Sequence, residues 1–234
     1  GRADGHRMVR GLEVDHLTRD RRDKDVTQGI DGEPVTHHLP GEQLPQAIAI
    51  LDPKRTDCPY PYKELSGCGI GFKLIHAFSL RNHLPLDNIY YYLDLVAVSI
   101  ASDIVPITGE NRVLAWYGLE RLNTMPCKGL LALKNSTGKK HDYTITDIVF
   151  QIGPRINAAG RIDDAKHAVK LLISDDYDDA TQKSEIINLQ NNERKTYDLD
   201  ITEQALAMLN HPHHQTRKTT VVFHEDWHKG VIGI

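Results

Sequence analysis

Two adjacent histidines, His37 and His38, stand in the run Thr36-His-His-Leu-Pro-Gly41, just after a candidate strand at Glu33 to Val35. Imidazole is the commonest protein metal ligand near neutral pH, and open α/β sheets place their ligands beyond the carboxyl ends of strands. The pair could therefore ligate a metal or simply face solvent from a Gly/Pro loop. Asp103 is a second anchor: a carboxylate at the end of an apolar stretch, directly before Ile-Val-Pro106. It suits a metal ligand, a cap or an ion-pair partner. Gly153-Pro-Arg155 and Gly160-Arg161 place guanidinium groups beside glycines, where backbone can approach an anion and arginine can grip a phosphate bidentately. The alternative for these two is a structural salt bridge, for instance with Asp163 or Asp164. The chain has 13 histidines in all, and the cluster His211, His213 and His214 reads as a polar loop.

The elements that must position these groups can be read from periodicity. Ala47 to Leu51 is a short apolar run bounded by Pro45 and Pro53, which predicts a buried strand. Gly67, Gly69 and Gly71 predict a tight turn feeding a closely packed helix through Phe72, Leu74, Ile75 and Phe78. Tyr90 to Ser102 has helical spacing, and Pro106 cannot continue it, so Asp103 falls at or just past the helix end. Asn111 to Leu122 predicts another helix, and Ala168 to Ile173 a short one. Thr181 to Leu209 lacks glycine and proline; its stripe of Ile186, Leu189, Tyr197, Ile201, Ala205 and Met208 predicts a helix roughly 43 Å long, polar on its other faces as a bridge between domains is. Thr219 to Phe223 reads as a β-branched strand opening a second domain. This alternation favours an α/β domain with a mostly parallel sheet.

Composition bounds the rest. The 234 residues are 40% hydrophobic and 26% charged, ordinary for a globular chain with a real core. The net charge of −4 supplies no global basic excess for nucleic acid, so any phosphate binding must be local. Three cysteines (Cys58, Cys68, Cys127) without a CxxC pair suggest neither a disulfide framework nor a thiolate zinc site, and a reducing cytoplasm is the expectation. No apolar run approaches the ~20 residues of a membrane helix. The polar opening at Gly1 and the apolar ending Gly230-Val-Ile-Gly-Ile234 predict a fragment whose last domain continues.

Taken together, several blocks change the odds. His37-His-Leu-Pro-Gly-Glu-Gln-Leu-Pro45, Ala49-Ile-Leu-Asp-Pro-Lys54, Leu65-Ser-Gly-Cys-Gly-Ile-Gly-Phe72, Asp94 through Asp103-Ile-Val-Pro106, Gly109-Glu-Asn-Arg112, Gly153-Pro-Arg-Ile-Asn-Ala-Ala-Gly-Arg161 and Trp227-His-Lys-Gly-Val-Ile-Gly233 resemble, in order and spacing, the RecJ family of single-strand-specific exonucleases in the DHH phosphoesterase superfamily. The resemblance covers roughly residues 29 to 234. It implies a DHH-type parallel-sheet domain (29–134, partial), an interdomain segment with a long connector helix (135–215), and the start of a smaller α/β DHH-associated domain (216–234). Residues 1–28 match poorly.

The resemblance also implies 5′ to 3′ hydrolysis of single-stranded DNA in repair and recombination, with Mn²⁺ or Mg²⁺ lowering the pKa of a water and stabilising phosphoryl oxygens. Single-strand-binding protein is an implied partner. By position, His37 and Asp103 match metal ligands, His38 the histidine near the scissile phosphate, and Arg155 and Arg161 the block lining the nucleic-acid path. Two departures stand out. Thr36 occupies the place of the family's name-giving aspartate, and the upstream Asp-x-Asp loop is missing, with Asp15 the nearest stand-in for another acidic motif. A DHH phosphoesterase acting on small nucleotides and an inactive nucleic-acid-binding remnant are the alternatives, and negligible exonuclease activity is expected of residues 1 to 234.

Overall fold

A computed structural model describes residues 27–28, 34–35, 38–41, 44, 46–47, 49–210 and 218–232. Two short strands, β1 (Thr27–Gln28) and β2 (Pro34–Val35), pair antiparallel, with Thr27 opposite Val35. All else of regular structure is helical: α1 (Gly67–Arg81), α2 (Asp87–Tyr90), α3 (Leu93–Ser102), α4 (Gly109–Thr124), α5 (Lys128–Ser136), α6 (Ile145–Asp147), a π-helical turn (Ile148–Ile152), α7 (Gly153–Ile162), α8 (Lys166–Leu172) and α9 (Tyr177–Leu209). Among the described residues no helix is long and apolar enough to cross a membrane.

The helices enclose two adjoining apolar clusters. One joins α1 to α4 through Phe72, Ile89, Val96, Ile100 and Ala115. The larger one gathers Leu122, Leu130, Leu133, Tyr143, Ile148, Ile152, Leu171 and Ile187. Helix α3 serves both because it is apolar nearly all round, and Ala97 and Ile100 are fully buried. Helix α4 crosses it closely at Gly118, where a Cβ would sit 2.2 Å from the Leu93 carbonyl oxygen and 2.6 Å from the Ala97 Cβ.

Several local expectations are corrected. The parallel sheet is not found among the described residues. Of the Ala47–Leu51 run, Leu51 forms one isolated bridge, and Ala47 and Ala49 are exposed; Thr219–Phe223 has no strand partner either. β-branched composition favours an extended backbone, but a strand exists only where a neighbour satisfies its N–H and C=O groups. The glycines at 67, 69 and 71 lie inside α1, whose start is set by Ser66: its Oγ accepts from the Gly69 N–H at 3.2 Å. The helix expected over 90–102 is broken at Tyr91–Tyr92, and Asp94 is buried in the first turn of α3.

The long helix starts earlier than expected because Asp176 caps it, accepting from the Asp179 N–H at 2.9 Å. Its buried stripe is also different: Ala180, Ser184, Ile187 and Asn191 face the body, whereas Ile186 and Leu189 are 46% and 69% exposed. Small side chains let α5 and α7 come close to it, so proximity of backbones rather than side-chain size selects the packed face.

Candidate functional site

Asp103 owes its position to the way α3 ends. The Val105 N–H bonds the Ile100 carbonyl (3.3 Å) and the Ile104 N–H the Ala101 carbonyl (3.3 Å), the paired pattern of a Schellman stop. Val105 packs against the apolar cluster that contains Ile100, the kind of contact that usually accompanies such a stop. The residue in the left-handed position, normally glycine, is Ile104 with φ +53°. Asp103 is thus the helix's last half-turn, and the Ser99 hydroxyl donates to its Oδ2 at 3.1 Å.

The chain then passes Pro106 and enters α4, and this corner is stapled from both sides. Asn111, fully buried, donates through Nδ2 to the Glu64 carbonyl (2.5 Å) and to the Pro106 carbonyl (3.0 Å). The Tyr62 hydroxyl donates to the Thr108 carbonyl at 2.8 Å. Asn111 belongs to the Gly109-Glu-Asn-Arg112 block that the sequence singled out without a role. Its role is tertiary: it ties the 62–64 segment to the 106–108 corner.

Between these segments and the loop after β2 lies an open crevice of about 510 Å³, lined by His38, Leu39, Lys54, Glu64, Asp103 and the Ile104–Pro106 corner. The histidine loop and the α3 terminus, far apart in sequence, therefore share one cavity wall. Lys54 and Glu64 face each other across it at 3.0 Å. His37 and Asp15 lie outside the described residues. Among the described residues no group of three or more His, Cys, Asp or Glu side chains is placed to hold a metal ion: of these residue types the crevice is lined by His38, Glu64 and Asp103, with Glu64 paired to Lys54. The described part of the lining is by itself short of the donors a hydrolytic divalent cation needs.

The two arginines sit elsewhere, on α7. Arg155 donates through Nε to Asn188 Oδ1 (2.7 Å) and through Nη1 to the Gln151 carbonyl (2.6 Å), which locks it between the π-helical turn and the long helix. Burial pulls its pKa below the usual guanidinium range, yet a guanidinium stays charged at any physiological pH. Arg161 donates to the Gly230 carbonyl at 3.2 Å, where Gly230 is packed so tightly that a Cβ would meet the Arg161 carbonyl oxygen at 2.2 Å. The expected partners are engaged otherwise: Asp163 lies 3.6 Å from His167 Nδ1, and Asp164 caps the Lys166 N–H at 2.9 Å. In the C-terminal segment His228 stacks on Tyr197 at 5.0 Å, and Trp227 donates to Gln204 at 2.9 Å. The segment thus packs on the long helix. His211, His213 and His214 lie outside the described residues.

No family model matches the chain. Curated relatives do: the single-stranded-DNA-specific exonuclease RecJ of Salmonella typhimurium is 35% identical over 225 residues, covering 89% of this chain and 38% of that protein. The protein of the same description from Bacillus subtilis is 40% identical over 207 residues, 88% of this chain and 25% of that protein. The chain therefore spans about two-fifths or less of these relatives' length. Among solved structures, an exonuclease RecJ bound to manganese superimposes with a TM-score of 0.75 at 30% identity, over 88% of this chain and 50% of that one. RecJ of Thermus thermophilus in complex with Mn²⁺ does so with 0.72 at 30% identity, over 85% and 29%. Over most of its length, then, the chain is similar in sequence and in fold to RecJ exonucleases.

Proposed function

We propose that the chain is part of a RecJ-type exonuclease, an enzyme that hydrolyses single-stranded DNA from 5′ to 3′ in repair and recombination, in the cytoplasm and with Mn²⁺ or Mg²⁺ as cofactor. The observation that supports this is the convergence of His38 and Asp103 on one crevice, within a fold that superimposes on manganese-bound RecJ. His37 and Asp103 are the proposed metal ligands, joined by Asp15, and His38 is the residue beside the scissile phosphate. When bound, the cation would supply a water of lowered pKa and charge stabilisation on the phosphoryl oxygens. The chain's own contribution is placement: the Schellman stop holds Asp103 at the crevice, and the Asn111 staple holds the corner that follows it.

Arg155 and Arg161 are proposed to contact phosphates of the strand, Arg155 with the part of its fork that Asn188 and Gln151 leave open. The parallel sheet of the DHH domain and a DHH-associated domain opening at residue 216 complete the proposed architecture, with single-strand-binding protein as a proposed partner. The shortage of carboxylate ligands carries through to activity: residues 1 to 234 should release negligible nucleotide from 5′-phosphorylated single-stranded DNA in Mn²⁺ buffer, and Thr36→Asp alone should not restore it fully. They should still bind a single strand. Replacing Arg155 or Arg161 by Ala should weaken that binding across all sequences and flatten its log–log salt dependence by about one unit. Robust nucleotide release abolished by His37→Ala would overturn the reading of the ligand set; unchanged affinity and slope in folded arginine variants would overturn their assignment.

A further inference from the structure

A second crevice, of about 430 Å³, opens beside the first and shares Leu39, Lys54 and Glu64 with it; its remaining lining is Arg55, Thr56 and Lys63. Three cations against one carboxylate is a local positive excess on a chain whose net charge is −4. The cations are also built in rather than strewn over the surface. Asp52, 2% exposed, turns the loop: its Oδ1 accepts from the Lys54 N–H at 2.8 Å, and its carbonyl accepts from the Arg55 N–H at 3.3 Å. The Lys54 and Arg55 side chains are only 22% and 21% exposed, so their stems are packed. Lys63 donates to the Cys58 carbonyl at 2.7 Å and Arg55 to the Ile50 carbonyl at 3.4 Å. A backbone acceptor thus fixes the Lys63 head without neutralising it.

Two carboxylates do oppose these charges. Glu64 pairs with Lys54 at 3.0 Å, and Asp57, itself 66% exposed, takes Arg55 bidentately, Nε donating to Oδ1 at 2.9 Å and Nη2 to Oδ2 at 2.5 Å. The Lys54 pair is partly solvated and therefore weak, Arg55 turns its Nη1 to the neutral Ile50 carbonyl, and among the described residues no carboxylate pairs with Lys63. A backbone phosphate entering the crevice would meet an ammonium, a guanidinium and the Thr56 hydroxyl together.

We propose that this crevice is a phosphate subsite for single-stranded nucleic acid, seating a backbone phosphate next to the one at His38 and Asp103. The proposal rests on the single-strand reading above. It adds Arg55, Lys63 and Thr56 to the strand path, on the side of the His38 crevice where Lys54 is shared.

The test uses the full chain and oligonucleotides carrying one uncharged methylphosphonate linkage, moved stepwise along the strand. In the unaltered chain one linkage position should cost roughly two- to fivefold in affinity, the size of a partly solvated ion pair. In Lys63→Gln and in Arg55→Gln that penalty should vanish while other positions keep theirs, and the salt slope should flatten by about 0.7. An unchanged penalty pattern and slope in both folded variants would overturn the subsite; if Arg155→Ala still weakens binding in the same assay, the single-strand reading survives. If the chain binds no single strand, that reading fails, and calorimetry with tripolyphosphate decides the crevice separately. Binding lost in Lys63→Gln would uphold it as a phosphate site, and no binding would overturn it. Tripolyphosphate binding without a position-dependent linkage penalty would assign the crevice to free phosphates and overturn the strand subsite.

Discussion

Ile104 tests whether the corner that presents Asp103 is formed as described. At φ +53° its β-branched side chain occupies left-handed space that costs an ordinary residue roughly 1–2 kcal/mol and glycine almost nothing. The side chain is 78% exposed, so little burial offsets that strain. Comparing Ile104→Gly with Ile104→Ala nearly removes even this term, because the two variants differ by a single exposed methyl group. Glycine escapes the left-handed penalty but gains about 0.4–1 kcal/mol of freedom in the unfolded chain. The difference leaves Ile104→Gly more stable than Ile104→Ala by roughly 0.5–1 kcal/mol, the reverse of the usual order. Urea denaturation of the two variants measures it as a shift in midpoint at constant m. For a chain of this size the melting temperatures should differ by about 2 °C. An alanine variant equal to or more stable than the glycine variant would show that the stop is not built this way in solution, and the placement of Asp103 would lose its support.

Other expectations follow from the packing around the site. Gly118→Ala, driven into the Leu93 carbonyl at 2.2 Å, should destabilise by about 1–3 kcal/mol in the same denaturation assay, because backbone cannot yield as a side-chain tip can. Lys139 and the Thr144 capping box hold the Asp147 carboxyl down at about 2, below its ordinary 3.8. A depressed acid stabilises above its unfolded pKa, so this contribution is present above about 3.8 and lost as pH falls through about 2. Asp147→Asn should therefore cost roughly 1–2 kcal/mol at neutral pH and flatten the acid limb of the stability curve. Cys127 lies 4% exposed beside Asp94, and burial with that carboxylate pushes its thiol up to about 12. It should resist a thiol reagent at pH 8 until the chain unfolds; labelling of the folded chain at the unfolded rate would refute the buried placement.

Much of this protein was legible along the chain because its signals are local. Pro106 after an apolar period fixed the end of α3, and with it Asp103, since a missing N–H and a locked φ act within a few residues. The likeness to RecJ exonucleases was legible in collinear blocks of sequence. What locality could not supply was decided in space. The strand expected before the histidines is β2, but those expected at Ala47–Leu51 and Thr219–Phe223 are not ladders among the described residues, because pairing needs a neighbour that a β-branched run does not encode. The packed face of α9 is Ala180, Ser184 and Ile187 rather than the larger Ile186 and Leu189, because the closeness of α5 and α7 chose it. Asn111 is an unremarkable polar residue in the sequence and becomes the staple of the crevice only where Glu64 and Pro106 are brought to its amide. The joining of His38 to Asp103, and of both to Lys54, is likewise a property of the folded chain: sequence chose the residue types, and closure of the core set which of them meet.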